Sequence, residues 1–473
     1  MNTIGLLVVN FIISFSIGFS CRANSYKKQP CGKPRTLYAI LNDFTINMKY
    51  LFVILLTLPF CTSQAQTTNT YISDITALRD ILKKTPSYKD QIKGQNIASS
   101  YNELFEKLKL DSVNNVLDYK YFYNLAQLFF PIRDNHLGFY QIPDENNYKD
   151  RSTFEKYMES KEFKDFPKCD LNIDSLKDVL SNKPIDSIEG IYYLDTLFSV
   201  GLFRVKEKEY IGVVLSSKIT VWRNLIWEKG QIAIHLYEYL PNHFKAIYAH
   251  PPSKRLILFS NEKFRNLSLI NSNFYGYLDG IHYSKVLSPK DYINLPRNIY
   301  DFHFRNIEPD IQYLHIKHFS ADLADMQKSK SFIDSIKHLI TAPNLIVDLR
   351  NNEGGAIKVS RNYLELIKRY MKNGHVYVLV NNGTISQGEI FTLQLKQLNN
   401  VQVLGQTTNG TLMYGSNYGK TEKLPSKAFQ VYITDMDGDK RLIPYEIFGV
   451  NPDITLSNTS DWVEQTVKII RKK

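Results

Sequence analysis

The sequence predicts an α/β protein in three parts: an N-terminal helical subdomain over 66–187, an antiparallel β module over 188–287 and a core over 288–473 built on a parallel sheet. Apolar residues recur at three- and four-residue steps in the first part, as in Ile75, Leu78, Ile81 and Leu82. In the second, aromatic and β-branched residues fall in short runs between turn formers. In the third, strand and helix patterns alternate. Aromatic content of 13%, with 31 Tyr and 27 Phe, suits a chain rich in sheet and argues against disorder.

Ahead of these parts, 1–65 reads as a targeting segment. Met48-Lys49 precedes the apolar stretch Tyr50–Phe60, and small residues at Ser63 and Ala65 suit cleavage after Ala65. The earlier apolar run Ile4–Phe19 has no basic residue before it and makes a poor membrane span, so the natural start is Met48; an N-terminal membrane anchor is the competing reading. Removal of 1–65 takes Cys21, Cys31 and Cys61 with it. Cys169 alone is left, which excludes an internal disulfide and a thiolate metal site. The expected location is the periplasm or the extracellular space.

In the helical part, the repeat from Tyr71 extends to about Phe130, where the loop Arg133-Asp134-Asn135-His136-Leu137-Gly138 interrupts it. A short helix is expected around Ile173–Leu180. The β module contains Ile191-Tyr192-Tyr193, Tyr210–Leu215 and Ile232–Tyr239, separated by Gly, Asn, Pro and Lys. In the core, strands are expected at Ile311–Phe319, Leu345–Leu349, Val376–Val380 and Val401–Leu404. Helices at Met326–Ile340, Ile357–Met371 and Ile390–Leu398 separate them. That order implies right-handed crossovers and a parallel sheet, with a site at the carboxyl ends of the strands. Three unusual loops occupy those ends: Arg350–Gly355, Asn381–Glu389 and Gly405–Gly415.

Charge narrows the function classes. The formal charge is +11, from 58 Lys/Arg against 47 Asp/Glu. Residues 1–65 hold six of the basic residues and one of the acids, so 52 against 46 remain, a net +6. These charges are interspersed and form no nucleic-acid motif, so a nucleic-acid partner is not expected. His315 and His318 point to opposite faces of a strand, no His-Glu-x-x-His helix occurs, and no metal or other cofactor is predicted. Asp435-Met436-Asp437-Gly438-Asp439 lacks the spacing and terminal Glu of a calcium loop; a hairpin turn joining Gln430–Thr434 to Leu442-Ile443 is the expectation.

Two segments carry chemistry. In Gly383-Thr384-Ile385-Ser386-Gln387-Gly388-Glu389, Ser386 falls where a buried strand turns into a helix. Unpaired N–H groups and the helix dipole there favour negative charge, so a serine alkoxide and a neighbouring oxyanion would both be stabilised. Ser386-x-x-Glu389 is equally a capping box, and the two readings are compatible. In Leu345-Ile346-Val347-Asp348-Leu349-Arg350-Asn351-Asn352-Glu353-Gly354-Gly355, paired glycines after a strand let backbone donors approach a ligand; a tight strand-to-helix turn is the plainer reading.

Together these segments resemble the tail-specific (C-terminal-processing) and tricorn-core family of serine peptidases. Asp348–Gly355 matches its Asp-Leu-Arg-Asn-Asn-x-Gly-Gly segment, and Ser386 stands three positions before Glu389, as its nucleophile does. The resemblance covers about 300–460 and implies a crotonase-like (ClpP/crotonase type) peptidase core. Tail-specific members carry a lysine base in a Gly-x-x-x-x-Gly-Lys-Gly loop; here that loop is Gly405-Gln406-Thr407-Thr408-Asn409-Gly410-Thr411-Leu412, with Thr411 at the lysine position. Tricorn-like members use a histidine from an N-terminal segment and a glutamate before Gly-Val-x-Pro. Asp134-Asn135-His136-Leu137 and Glu446, ahead of Gly449-Val450-Asn451-Pro452, fit that branch.

The resemblance therefore implies Ser386 as nucleophile, His136 as general base, Glu446 as a more distant third member, and backbone N–H groups of Gly354 or Gly355 and of Gln387 as oxyanion donors. The substrate would be a polypeptide. A different class also fits the sequence: a binding or scaffold protein of the cell envelope that keeps the fold without turnover. A third reading has the 188–287 module capture a cell-envelope partner for the peptidase to trim.

Overall fold

The computed structural model describes residues 69–472 apart from 95–96, 112, 114, 143, 195, 197, 219–226, 252, 271–282, 288–289, 297–298 and 417–418. The proposed signal segment, with Cys21, Cys31 and Cys61, lies outside the described residues. In the N-terminal part, α1 (Thr70–Leu82) is capped by the Asn69 side chain, which accepts from Tyr71 N–H, and it buries Tyr71, Ile75, Leu78 and Leu82. One turn at Pro86–Tyr88 (α2), then α3 (Ala98–Lys109) and α4 (Tyr119–Gln127), complete this group. Helices α5 (Arg151–Glu159), α6 (Lys161–Lys164) and α7 (Ile173–Ser181) follow.

Between α4 and α5 lies one strand, β1 (Gly138–Gln141), immediately after His136. The middle of the chain then forms β2 (Gly190–Tyr193), β3 (Phe198–Lys206), β4 (Glu209–Ser217), β5 (Ile232–Leu240), β6 (His243–Ala249), β7 (Leu256–Arg265), β8 (Ser268–Ile270) and β9 (Tyr283–Ser284). These eight pair in the order β7-β6-β5-β4-β3-β2-β9-β8, and β8 pairs back onto β7, which closes the ring. The module is a closed antiparallel barrel, and closure removes its sheet edges.

The C-terminal part contributes β10 (Phe302–Glu308), β11 (Ile311–Ile316), α8 (Leu323–Ile336), β12 (Asn344–Asp348), α9 (Ile357–Tyr370), β13 (His375–Val380), α10 (Gln387–Lys396) and β14 (Val401–Gly405). After these come β15 (Tyr414–Gly415), β16 (Thr421–Lys423), β17 (Phe429–Tyr432), β18 (Met436–Asp437), β19 (Ile454–Thr455) and α11 (Trp462–Arg471). A six-stranded sheet runs β10-β11-β12-β13-β14-β19, parallel except where β10 meets β11. Alternation along β12 divides its two faces. Leu345 and Val347 pack with Ile333 of α8, Tyr363 of α9 and Phe391 of α10, while Ile346 packs with Trp462 and Ile470 of α11.

This arrangement corrects the expected crotonase-like (ClpP/crotonase type) core. A closed barrel and one open sheet between helix layers replace a superhelical core. Local periodicity reports strands and helices, and β7 and β8 are joined by a short turn, but closure also needs β9 to reach β2, where Tyr193 lies opposite Ser284, and that pairing has no local signature. The expected hairpin after Thr434 is also corrected. Met436–Asp437 pairs with Tyr414–Gly415, and Lys440–Tyr445 is a 3-10 helix.

What joins the parts is β1. It pairs with barrel strand β7 on one side (Phe139 opposite Leu258) and with β17 on the other (Phe139 opposite Val431), and β16 extends this wall. The N-terminal helices cover the wall, with Phe122 stacked on Phe139 at 4.6 Å and Tyr121 on Phe429 at 5.2 Å between ring centres.

Candidate active site

Strands β12, β13 and β14 end on one edge, and the three loops singled out from the sequence follow them there. Ser386 sits at the mouth of α10 with φ +54° and ψ −122°, a conformation a non-glycine residue rarely holds. Its backbone N–H donates to Glu389 Oε2 at 3.1 Å, so the capping relation is present in that half. Its hydroxyl faces elsewhere: Ser386 Oγ lies 3.2 Å from His136 Nε2. The two residues are 250 positions apart, and the separation is spanned by β1, which carries the histidine loop into the sheet between β7 and β17.

Hydrogen bonds hold the histidine loop from all sides. His136 N–H donates to Asp134 Oδ1 at 3.1 Å, and Asp134 Oδ2 accepts from Thr434 Oγ1 at 2.7 Å. Lys245 Nζ, from β6, donates to Ile132 O at 2.7 Å. Asn135 Nδ2 donates to Gly410 O at 2.7 Å, and Asn135 N–H to Glu446 Oε1 at 3.0 Å. Burial pulls the His136 imidazole down to about 4, which leaves it neutral near pH 7 and able to accept a proton.

Glu446 sits beside the histidine loop, and its recorded contacts are with backbone rather than with the imidazole. Oε1 takes the Asn135 amide, and Oε2 takes Leu412 N–H at 2.9 Å and Met413 N–H at 2.8 Å. It thereby ties the histidine peptide to the loop after β14. Burial and then the nearby Asp134 charge push its carboxyl up to about 8, against the pull of those three amides.

Gly354 lies against Ser386. A Cβ there would come within 2.8 Å of Ser386 Cβ and 3.0 Å of Gln387 N, and its φ of +74° also favours glycine. The three expected oxyanion donors differ in what they already hold. Gly354 N–H donates to Asn352 Oδ1 at 3.0 Å. For Gly355 N–H and Gln387 N–H, no acceptor is recorded among the described residues. Phe319 bonds the backbone on either side of Gly355 (Phe319 N–H to Gly354 O, Ala356 N–H to Phe319 O) and leaves the Gly355 amide out of that bridge.

Asp348 and Arg350 of the same segment form a buried bidentate pair behind the site, with Tyr313 Oη on Asp348 Oδ2 at 2.9 Å. Thr411, at the position where a lysine base would stand, donates its N–H to Glu389 Oε2 at 2.8 Å and its hydroxyl to Asn409 Oδ1. His315 Nδ1 lies on Asp348 O, while His318 Nε2 is nearest Asp301. Among the described residues no group of three or more His, Cys, Asp or Glu is placed to hold a metal ion.

Beyond the cap expected of Glu389, several supporting contacts were not read from the sequence. Glu389 is wholly buried and takes four donors: Ser386 N–H, Thr411 N–H, Gly410 N–H and Thr408 Oγ1. From barrel strand β7, Asn261 Nδ2 donates to Ile447 O at 3.0 Å, Lys263 Nζ to Asn409 O at 2.6 Å and Arg265 Nη1 to Thr407 O at 3.3 Å. The alternating polar pattern Asn261, Lys263, Arg265 announces one polar strand face; nothing local tells which loop it meets.

Residues 310–372 and 360–456 match the model of Peptidase family S41. A search of curated proteins finds no match. Among solved structures, a putative peptidase from Parabacteroides merdae is 14% identical, covering 85% of this chain and 96% of that one, with a TM-score of 0.35. Mature CPAF is 11% identical over 82% of this chain and 92% of its own, TM-score 0.38. The photosystem II D1 C-terminal processing protease is 13% identical over 83% and 94%, TM-score 0.33. The family match defines the class of this protein: it is a serine-type peptidase, and its substrate is polypeptide. Over residues 310–456 the chain is similar to peptidase family S41. Among the described residues no helix is long and apolar enough to cross a membrane.

Proposed function

We propose that the chain hydrolyses peptide bonds through an acyl-enzyme on Ser386, with His136 as general base and then general acid, in the manner of the tricorn-like branch. The observation that carries this reading is the 3.2 Å approach of His136 Nε2 to Ser386 Oγ. His136 takes the Oγ proton as Oγ attacks the carbonyl carbon of the scissile bond. The oxyanion that forms is met by the N–H groups of Gln387, at the positive end of α10, and Gly355. His136 passes its proton to the leaving amine, and water, deprotonated by His136, then cleaves the ester. Glu446 acts as a positioning residue through the Asn135 amide. Thr411 has no basic group, which favours the histidine over a lysine as base.

The segment 48–65 supports export to the periplasm or beyond, where a cell-envelope component can reach the barrel. The test is a fluorophosphonate probe with its attachment site mapped. Labelling is expected at Ser386, lost in Ser386→Ala and at least ~100-fold slower in His136→Asn. Labelling at another residue, or unchanged labelling in His136→Asn, would sink the assignment.

A further inference from the structure

We propose that Lys263 of barrel strand β7 is a positioning residue of the peptidase site, clamping the loop that carries Ser386 to the loop that follows β14. The clamp deepens the reading of Ser386 as nucleophile and rests on it for its catalytic consequence. Lys263 is 2% exposed, and its Nζ has three recorded acceptors: Asn409 O at 2.6 Å, Thr408 O at 3.4 Å and Asn382 Oδ1 at 3.2 Å. An ammonium has three protons, so these acceptors match its donors. Two belong to the loop after β14 and the third to the loop after β13, four residues before Ser386. Asn409 reinforces the junction, since its Nδ2 donates to Asn382 O at 3.2 Å and its N–H to Thr384 O at 3.2 Å.

The bonds then run on to the nucleophile. Thr408 Oγ1 donates to Glu389 Oε1 at 2.6 Å, and Glu389 Oε2 accepts the Ser386 amide. Burying a lysine is costly unless its donors are satisfied, and here the site's own loops supply the acceptors. Glu389, Glu262 and Arg265 are the charged groups around it. Glu389 and Glu262 favour the ammonium, while burial and Arg265 pull the amine below its ordinary value. Lys263 also lies outside the family-matched residues 310–456, so the barrel supplies a part that this segment lacks.

The test compares Lys263→Met with Lys254→Met. Lys254 is another buried barrel lysine, but its Nζ bonds Phe163 O and Gln231 Oε1, away from the site. Hydrogen exchange of peptides covering 381–389 and 405–415 is expected to speed up at least ~10-fold in Lys263→Met and to stay unchanged in Lys254→Met. Fluorophosphonate labelling of Ser386 is expected to slow at least ~10-fold in the first variant alone, because a small displacement of the nucleophile loop is enough. Unchanged loop exchange in a folded Lys263→Met protein overturns the clamp. If Lys263→Met does not fold, Lys263→Gln, which keeps two N–H donors, takes its place with the same readouts. The exchange measurement judges the clamp even if the wild-type probe attaches elsewhere, an outcome that would remove the nucleophile assignment instead.

Discussion

Ser386 combines a left-handed backbone, a helix mouth and a hydroxyl turned toward an imidazole. The strain in that φ is tolerated because Glu389 holds the Ser386 amide and Asn352 O accepts Ile385 N–H. Gly354 completes the packing, and Gly354→Ala is expected to slow probe labelling of Ser386 by ~100-fold, since the new Cβ meets Ser386 itself. His136 makes a pH prediction. Its folded-state value of about 4 lies below the ordinary 6.5, so the base is neutral through most of the acid range and kcat/KM falls only as pH approaches about 4. The same shift affects stability. The contribution of neutral His136 is complete above pH 6.5 and is lost as pH falls toward about 4. Acid melting curves of wild type and His136→Asn should therefore converge across that window.

Strand β7 serves two environments with its two faces. Asn261, Lys263 and Arg265 reach the loops around Ser386, while Glu262 is buried beside Tyr248. Burial pushes the Glu262 carboxyl up to about 8, against the pull of Tyr248 and Lys263. A folded-state value above the unfolded one means that stability is greatest below pH 4.5 and declines as pH rises through about 8. Glu262→Gln removes the charge and keeps the shape. It is expected to stabilise the protein by on the order of 2–4 kcal/mol at pH 9, and to have no such advantage at pH 4, as read from denaturant midpoints at the two pH values. At this scale much was legible. Helix α9 over Ile357–Tyr370 and strand β13 over His375–Val380 lie within a residue or so of the ranges expected from periodicity. The 3-10 turn at Lys440–Tyr445 was not, because charged, Gly-punctuated segments suit a hairpin equally well.

For the whole molecule, the site exists only where three parts of the chain meet. The serine and its loops come from the family-matched segment, the histidine from the loop before β1, and the bracing lysines, Lys245 and Lys263, from the barrel. A fragment of 288–473 has Ser386 without His136, and β17 in it has lost β1 as a partner. Such a fragment is expected not to react with a fluorophosphonate, and coexpression with 66–287 should restore labelling. The N-terminal helices are equally committed to the rest: Asp74 Oδ1 accepts Ser426 N–H at 2.8 Å, across 352 positions.

The amino-acid sequence alone determined the peptidase motifs. Strand-to-helix junctions, glycine pairs and a Ser-x-x-Glu spacing are local patterns, and local patterns survive in one dimension. It also pointed to His136 and Glu446, through a resemblance of their flanking residues to one family branch. Tertiary structure alone decided that the middle strands close into a barrel, that β1 wedges the histidine between barrel and core, and that a barrel lysine reaches the loop that carries Ser386. Those outcomes depend on edge pairing and burial between residues far apart in the chain, where the hydrophobic period of each segment carries no information about its partner.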